Sequence, residues 1–369
     1  MKYALATCIL FLPILSLAQT FTATGHMQFA RQGHSATLLS DGRVLVTGGQ
    51  NATGTLATTE LFQPIAGTFT RIGNLINART GHTATLLPNG KVLIAGGQNS
   101  TGTLVSAEIF HPATSTFTRT GSMTMARIGY TATLLANGKV LIAGGGSATS
   151  EVFDPHTGTF TAVGSMSTPR TYAAATLLAN GQVLVAGGTA ASGSLLGDLF
   201  NPATGKFKTT ANQGTRAVNL TATLLQNSTV LLAGGGVPGT FCGLCSPPPV
   251  TRGNDAILFH SSTASFSTTS TGINRSSHTA TLLVGGEVLV TGGTIVRVLF
   301  CRGGCPVVSS TVLASAALYN PSSATFTSTA TITTARTLHT ATMLANGRVL
   351  VLGGVDANKS VLSSAEIFQ

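Results

Sequence analysis

A short pattern of alternating and apolar residues recurs along the chain. In its cleanest copy, His82-Thr83-Ala84-Thr85-Leu86-Leu87 mixes small polar and apolar residues, Asn89-Gly90 interrupts, and Lys91 to Ala95 runs almost wholly apolar to Gly96-Gly97. Alternation with period two marks a half-covered strand, and a short apolar run bounded by turn residues marks a strand buried on both faces. Asn89-Gly90 reads as a two-residue hairpin turn, because both residue types tolerate positive φ. Glu108-Ile109-Phe110 then predicts a third strand, Pro112 a turn, and Thr116-Phe117-Thr118 the start of a fourth.

The unit repeats. Glycine pairs end similar strands at positions 48, 96, 144, 187, 234, 292 and 353, and the hairpin turn recurs from Asp41-Gly42 to Asn346-Gly347. A period of about 45 to 50 residues, stretched in the last two copies, is that of a four-stranded propeller blade. The third-strand aromatic recurs as Phe62, Phe110, Phe153, Phe200, Phe259, Tyr319 and Phe368. Packed between sheets, each contributes about 1.5–3 kcal/mol. The fourth-strand aromatic recurs after only six of them, as Phe69, Phe117, Phe160, Phe207, Phe266 and Phe326. The missing copy stands at the other end, in Thr20-Phe21-Thr22. The sequence therefore predicts an all-β, seven-bladed propeller with four-stranded blades. Counting the strands of a blade a to d, its ring is closed by an N-terminal strand d pairing with the C-terminal strand c. Closure of this kind protects an edge that would otherwise lack a partner.

Composition adds detail. The chain has 369 residues with 44 Gly, no Trp and 8% charged residues, which suits short strands and tight turns. Residues 1–18 read as a signal peptide: Lys2 is the basic start, Ala4 to Leu15 is apolar but short, and Ser16-Leu17-Ala18 suits cleavage. The propeller is expected over 19–369, secreted or held in the periplasm or at the cell surface. Lipidation at Cys8 is not expected, since Leu5-Ala6-Thr7-Cys8 lies too near Met1. The net charge of +10 attracts anionic glycans, phosphates or lipids. The basic residues are spread through the repeats, however, and export disfavours nucleic acid as a partner. No later run has transmembrane length.

Arg-x-Gly-His before the first strand, Gly-Gly after the second, an acidic-x-aromatic third strand and a Pro turn together resemble the kelch motif. His82, Gly96-Gly97, Glu108 and Phe110 carry it in one blade. The resemblance spans about 20–369 and includes the kelch propeller of galactose oxidase and of secreted bacterial proteins. It departs from the motif in having Phe for the usual fourth-strand Trp. It implies protein or carbohydrate binding, or in some members catalysis, and so leaves function to be argued from the site.

Arginine opens most blades at Arg31, Arg79, Arg127, Arg170, Arg275 and Arg336, with Arg216 out of register. Strand c carries Glu60, Glu108, Glu151, Asp198 and Glu366. The expectation is a repeated structural bond between the two sets, against an anion-attracting ring at the channel mouth. Ile257 and Ala317 replace the acid in blades five and six, so Arg275 is expected to be freer. His34, His82, His278 and His339 share one register, filled elsewhere by Tyr130, Ala173 and Leu220. These histidines are expected to be hydrogen-bonded structure, and no metal or cofactor is expected. Copper oxidase chemistry asks for tyrosine and histidine ligands that Tyr130, Tyr172 and Tyr319 supply poorly. No catalytic residues are assigned: paired acids outside the repeat, a Gly-x-Ser-x-Gly elbow and a phosphate loop are all absent from the sequence.

The second-to-third-strand connections of blades five and six are long, over 236–254 and 294–315. They hold Cys242, Cys245, Cys301 and Cys305, an even count that favours disulfides in an exported chain, with pairing open. These inserts predict a non-catalytic binding module for an extracellular protein or glycan. Its ligand-binding candidates are Phe241, Leu244, Arg297, Phe300 and Arg302, with Arg275, Arg336, His278 and His339 at the mouth. The alternative is a carbohydrate-acting enzyme such as a sugar epimerase or mutarotase, in which Arg275 or Arg336 holds an anionic sugar and His278 or His339 moves protons.

Overall fold

The computed structural model describes residues 19–189, 196–212, 218–236, 255–271, 273–299 and 307–369. Among them are seven antiparallel four-stranded sheets. The expected signal peptide and the four later cysteines lie outside the described residues, as do Phe241, Leu244, Phe300 and Arg302.

Each sheet is one blade, with strands a to d running outward from the axis. Blade two shows the plan: Thr83–Leu86, Val92–Ala95, Ala107–His111 and Thr116–Arg119 pair in that order. The a strands touch one another in a closed circle through all seven blades. Their residues are small and half-buried, as Thr83 to Leu86 and Thr279 to Leu282 illustrate, which suits strands crowded around a channel. The b strands are buried throughout. This is the physical reason for their continuous apolar runs.

Blade seven takes strands from both ends of the chain. Thr340–Met343, Val349–Leu352 and Ala365–Phe368 are joined by Phe21–Ala23, with Phe21 opposite Phe368. Main-chain bonds extend the seam, from Thr20 N to Gln369 O and back, at 3.0 and 3.1 Å.

The core consists of seven apolar clusters, and each lies between two neighbouring blades. Every blade places a strand-c aromatic against a strand-d phenylalanine, with ring centroids 4.8 to 5.0 Å apart. Such pairs contribute about 0.5–1.5 kcal/mol each beyond their burial.

The a–b turn differs from the expected two-residue form. Gly90 N bonds Leu87 O at 2.9 Å, and Leu87 N bonds Lys91 O at 2.8 Å. The loop is therefore three residues long, a type I turn followed by a left-handed Gly90 with φ 77°. Asn89 instead uses its side chain, accepting the Lys91 N–H at 3.1 Å. The dipeptide marked the turn correctly, but the asparagine serves as a cap.

The long connection of blade six is a regular hairpin over part of its length. Thr294–Leu299 pairs with Val307–Val312, in a register running from Thr294↔Val312 to Leu299↔Val307. Arg297 lies on it opposite Ser309. The isolated bridge Ser276↔Thr294 ties its base to the residues leading into strand a.

Candidate functional site

The d–a corners surround one end of the channel, and the repeated residues there form the frame. Arg31 donates from Nη1 to the carbonyls of Gly48 and Thr58 at 2.7 and 2.8 Å, and from Nη2 to Glu60 at 2.7 Å. Glu60 also accepts the main-chain N–H groups of Gln28 and Phe29. One ion pair thus joins the corner, the end of strand b and strand c. The same pairing joins Arg79 to Glu108, Arg127 to Glu151, Arg170 to Asp198 and Arg336 to Glu366, at 2.8 to 3.1 Å. These arginines are at most 1% exposed. Arg336, one of the ligand candidates, is fully engaged: it also bonds Gly353 O, Ser364 O and Ser364 Oγ. Arg275 bonds Gly292 O and Ser315 and has no salt bridge among the described residues.

The glycine pair has a steric cause. A Cβ on Gly48 would lie 2.8 Å from the His82 ring of the next blade, and one on Gly49 would lie 2.8 Å from Gln32 O.

The histidines tie blade to blade. Nε2 of His82 meets Ser35 Oγ and Thr47 Oγ1, each at 2.9 Å. His34 meets Thr340 Oγ1, His278 meets Thr221 Oγ1 and His339 meets Thr279 Oγ1, all at 3.1 Å. Tyr130 does the same work in blade three, with its hydroxyl 3.0 Å from Thr83 Oγ1. Burial holds the four imidazoles neutral, pushing each pKa down to about 3, and nearby arginine charge adds to the effect. A group with so low a pKa is poorly matched to proton transfer near pH 7. His278 and His339 thus tie neighbouring blades together through Thr221 and Thr279.

The rim itself departs from symmetry. The residue two places after each corner arginine, with Asn219 in the matching place of blade five, has left-handed backbone in every blade. These residues are Gly33, Gly81, Gly129, Tyr172, Asn219, Ser277 and Leu338, with φ between 52° and 64°. Main-chain bonds link several of them across blades: Gly81 N to Gly33 O, Tyr172 N to Gly129 O, Asn219 N to Tyr172 O and Ser277 N to Asn219 O. Blades one to three use glycine, for which this conformation carries no steric cost. Blades four to seven use side chains there, and a bulky residue at positive φ is strained by about 1–3 kcal/mol.

Residues of four consecutive blades line an open depression of about 240 Å³: Gly129, Tyr130, Tyr172, Ala173, Asn219, Leu220, Ser277 and His278. It opens where the histidine register is broken by Tyr130, Ala173 and Leu220. Tyr172 is 47% exposed, and Leu338 of blade seven is 49% exposed. Tyr130 forms part of the wall; burial raises its pKa to about 12. An exposed aromatic face beside an amide, a hydroxyl and main-chain groups can stack on an apolar ring face while hydrogen-bonding its edge.

Among the described residues, His278 is the one sequence candidate that lines this depression. Tyr172, Asn219 and Ser277 were missed. Their signal was present: the small residue before the histidine register changes from Gly to Tyr, Asn, Ser and Leu midway around the ring.

Comparison with protein families matches the Kelch motif over residues 79–124. No curated protein sequence matches the chain. Among solved structures, the chain is similar to a fungal alcohol oxidase of the AA5 family in complex with copper. The TM-score is 0.71 and the identity 17%, over 94% of this chain and 76% of that one. This likeness is one of fold. It nevertheless corrects the expectation of a non-catalytic binding module, because a similar ring belongs there to an enzyme. A repeat frame without an obvious acid–base pair is therefore no ground for setting catalysis aside.

The described residues do not fit copper. Among the described residues no three His, Cys, Asp or Glu side chains gather in metal-binding range. The ring histidines are bound to hydroxyls of neighbouring blades, and the Tyr130 hydroxyl meets Ala95 O and Thr83.

Proposed function

We propose that this chain, a seven-bladed kelch-type β-propeller, acts on a carbohydrate held at the mouth of its central channel. The observation that carries this reading is Tyr172. A large aromatic residue stands exposed on strained backbone beside an open depression of about 240 Å³. Backbone strain of this kind concentrates at functional sites. A pyranose ring stacks on the Tyr172 face while Asn219 and Ser277 bond its hydroxyl groups.

The reaction class is interconversion at the sugar's own carbon centres, of the mutarotase or epimerase kind, rather than oxidation on copper. In mutarotation the anomeric hydroxyl gives up a proton, the bond between C1 and the ring oxygen breaks, and that oxygen takes up a proton. Reclosure gives the other anomer, so no oxidant or reductant is consumed. Tyr172 is the exposed aromatic residue of the rim among the described residues, and neutral His278 orders the wall beside it. The net charge of +10 favours acidic saccharides in the encounter, an advantage that falls with salt. The leader-like segment from Lys2 to Ala18 supports an exported protein meeting its substrate outside the cytoplasm.

The test is two-dimensional exchange NMR on a panel of neutral and uronic mono- and oligosaccharides. The expected result is accelerated exchange between anomeric or epimeric signals for one sugar class, lost in Tyr172→Gly. Unchanged exchange across the panel, with no sugar bound, would overturn the reading.

A further inference from the structure

Blade six keeps the corner arginine and lacks its acid. In five blades the strand-c carboxylate accepts from the guanidinium at 2.7 to 3.1 Å. In blade six Ala317 holds that register, opposite Val290. The register two residues earlier is no substitute: it holds Asp255 in blade five but Ser315 in blade six. Arg275 is 9% exposed and donates to Gly292 O, Ser315 O and Ser315 Oγ, with no carboxylate on Nη2 among the described residues; its Nε has no partner, as is also true of Arg31 and Arg79. A buried cation without counter-charge is unfavourable. Burial accordingly pushes the Arg275 pKa down to about 10, with no carboxylate to oppose it.

Two further features set this corner apart. Glu60, Glu108, Glu151, Asp198 and Glu366 are buried, whereas Ala317 is only half-buried, so truncation leaves its place reachable by solvent. The corner is also shorter. Buried Ile273 precedes Arg275 by two residues, whereas Met27, Leu75, Met123, Met166 and Ile332 precede their arginines by four. Elsewhere that extra length supplies the N–H groups that share the acid, such as Gln28, Ile76, Ser167 and Thr333. Blade six therefore presents its guanidinium edge to an incoming anion with fewer main-chain donors around it.

We propose that Arg275 and the space above Ala317 form a binding site for a small carboxylate anion, which takes the place of the acid side chain present in the other blades. The anion accepts from the Nη2 and Nε edge, a planar fork that matches a carboxylate. Binding completes the blade, so the liganded ring is the more stable one. This site is independent of the carbohydrate reading, and its test contains no sugar.

The test compares formate with chloride at equal ionic strength, using the melting temperature and the line width of 13C-formate. Formate is expected to raise the melting temperature saturably by a few degrees and to broaden in the presence of the protein, while chloride does neither. Ala317→Glu supplies the missing acid and Ala317→Leu fills the space without charge; both should abolish the formate response. Either variant that folds decides the matter, and Arg275→Gln gives a third. A wild-type protein indifferent to formate, an equal response to chloride, or an undiminished response in the folded variants would overturn the proposal.

Discussion

The two sides of the channel mouth are built on the same backbone and carry different surfaces. Blades one to three present Gly33, Gly81 and Gly129; blades four to seven present Tyr172, Asn219, Ser277 and Leu338 in the same left-handed conformation. The repeat thus fixes where the chain must turn and leaves open what projects from the turn. Glycine is the relaxed solution. The half that gives it up accepts strain, gains polar and aromatic side chains, and contains the depression.

If one frame supports both halves, weakening it should affect the whole ring. The largest effect is expected from acid. Each ring histidine is held neutral by burial, with a pKa of about 3 against the ordinary 6.5. Between those values the unfolded chain binds more protons than the folded one. The contribution is complete above pH 6.5 and is lost as pH falls toward 3, at up to about 1.4 kcal/mol per pH unit for each histidine. Denaturant melts at a series of pH values measure the slope. Because blade three already uses tyrosine in this register, His339→Tyr should lower the slope by one proton if it folds.

Next in size is the buried ion pair on the glycine side. Glu108→Ala strands the Arg79 charge and leaves the Ile76 and Asn77 N–H groups without their acceptor. A loss of about 3–5 kcal/mol is expected in chemical denaturation. Phe21→Ala tests the seam of blade seven. Phe21 is only half-buried against Phe368, so about 2–3 kcal/mol is expected, below the 3–5 kcal/mol of a fully buried phenylalanine. An unchanged melting temperature would count against its place in the sheet.

The smallest effect has the opposite sign. Tyr172→Gly gives blade four the backbone solution of blade three and should raise stability by about 0.5–1 kcal/mol while abolishing saccharide binding. A variant both less stable and still able to bind would remove the distinction between the two halves.

Most of the frame was legible because it repeats. Glycine pairs, strand-c aromatics and the arginine–acid registers each recur, and averaging over copies exposes their spacing. The absence of an acid opposite Arg275 was legible for the same reason. The candidate site was harder to read because it consists of departures from the repeat. Tyr130, Ala173 and Leu220 were visible as exceptions to a histidine register, but the loss of glycine just before them conveys little until the backbone shows positive φ there. The long inserts drew attention by length, and their cysteines and apolar tips lie outside the described residues. The arginines and histidines were expected to be mainly structural, and Arg275, Arg336, His278 and His339 stayed among the ligand candidates because sequence gives their register but not their burial.

Tyrosine fluorescence offers the most direct test of the carbohydrate site. The chain has no tryptophan; Tyr130 and Tyr319 are buried, and Tyr172 is the exposed tyrosine among the described residues. Saccharide stacking on Tyr172 should change the emission saturably with sugar concentration, and the change should vanish in Tyr172→Gly. A saturable signal that survives in that variant, or sugar binding proved by NMR with no change in emission, would contradict the placement of substrate at this rim.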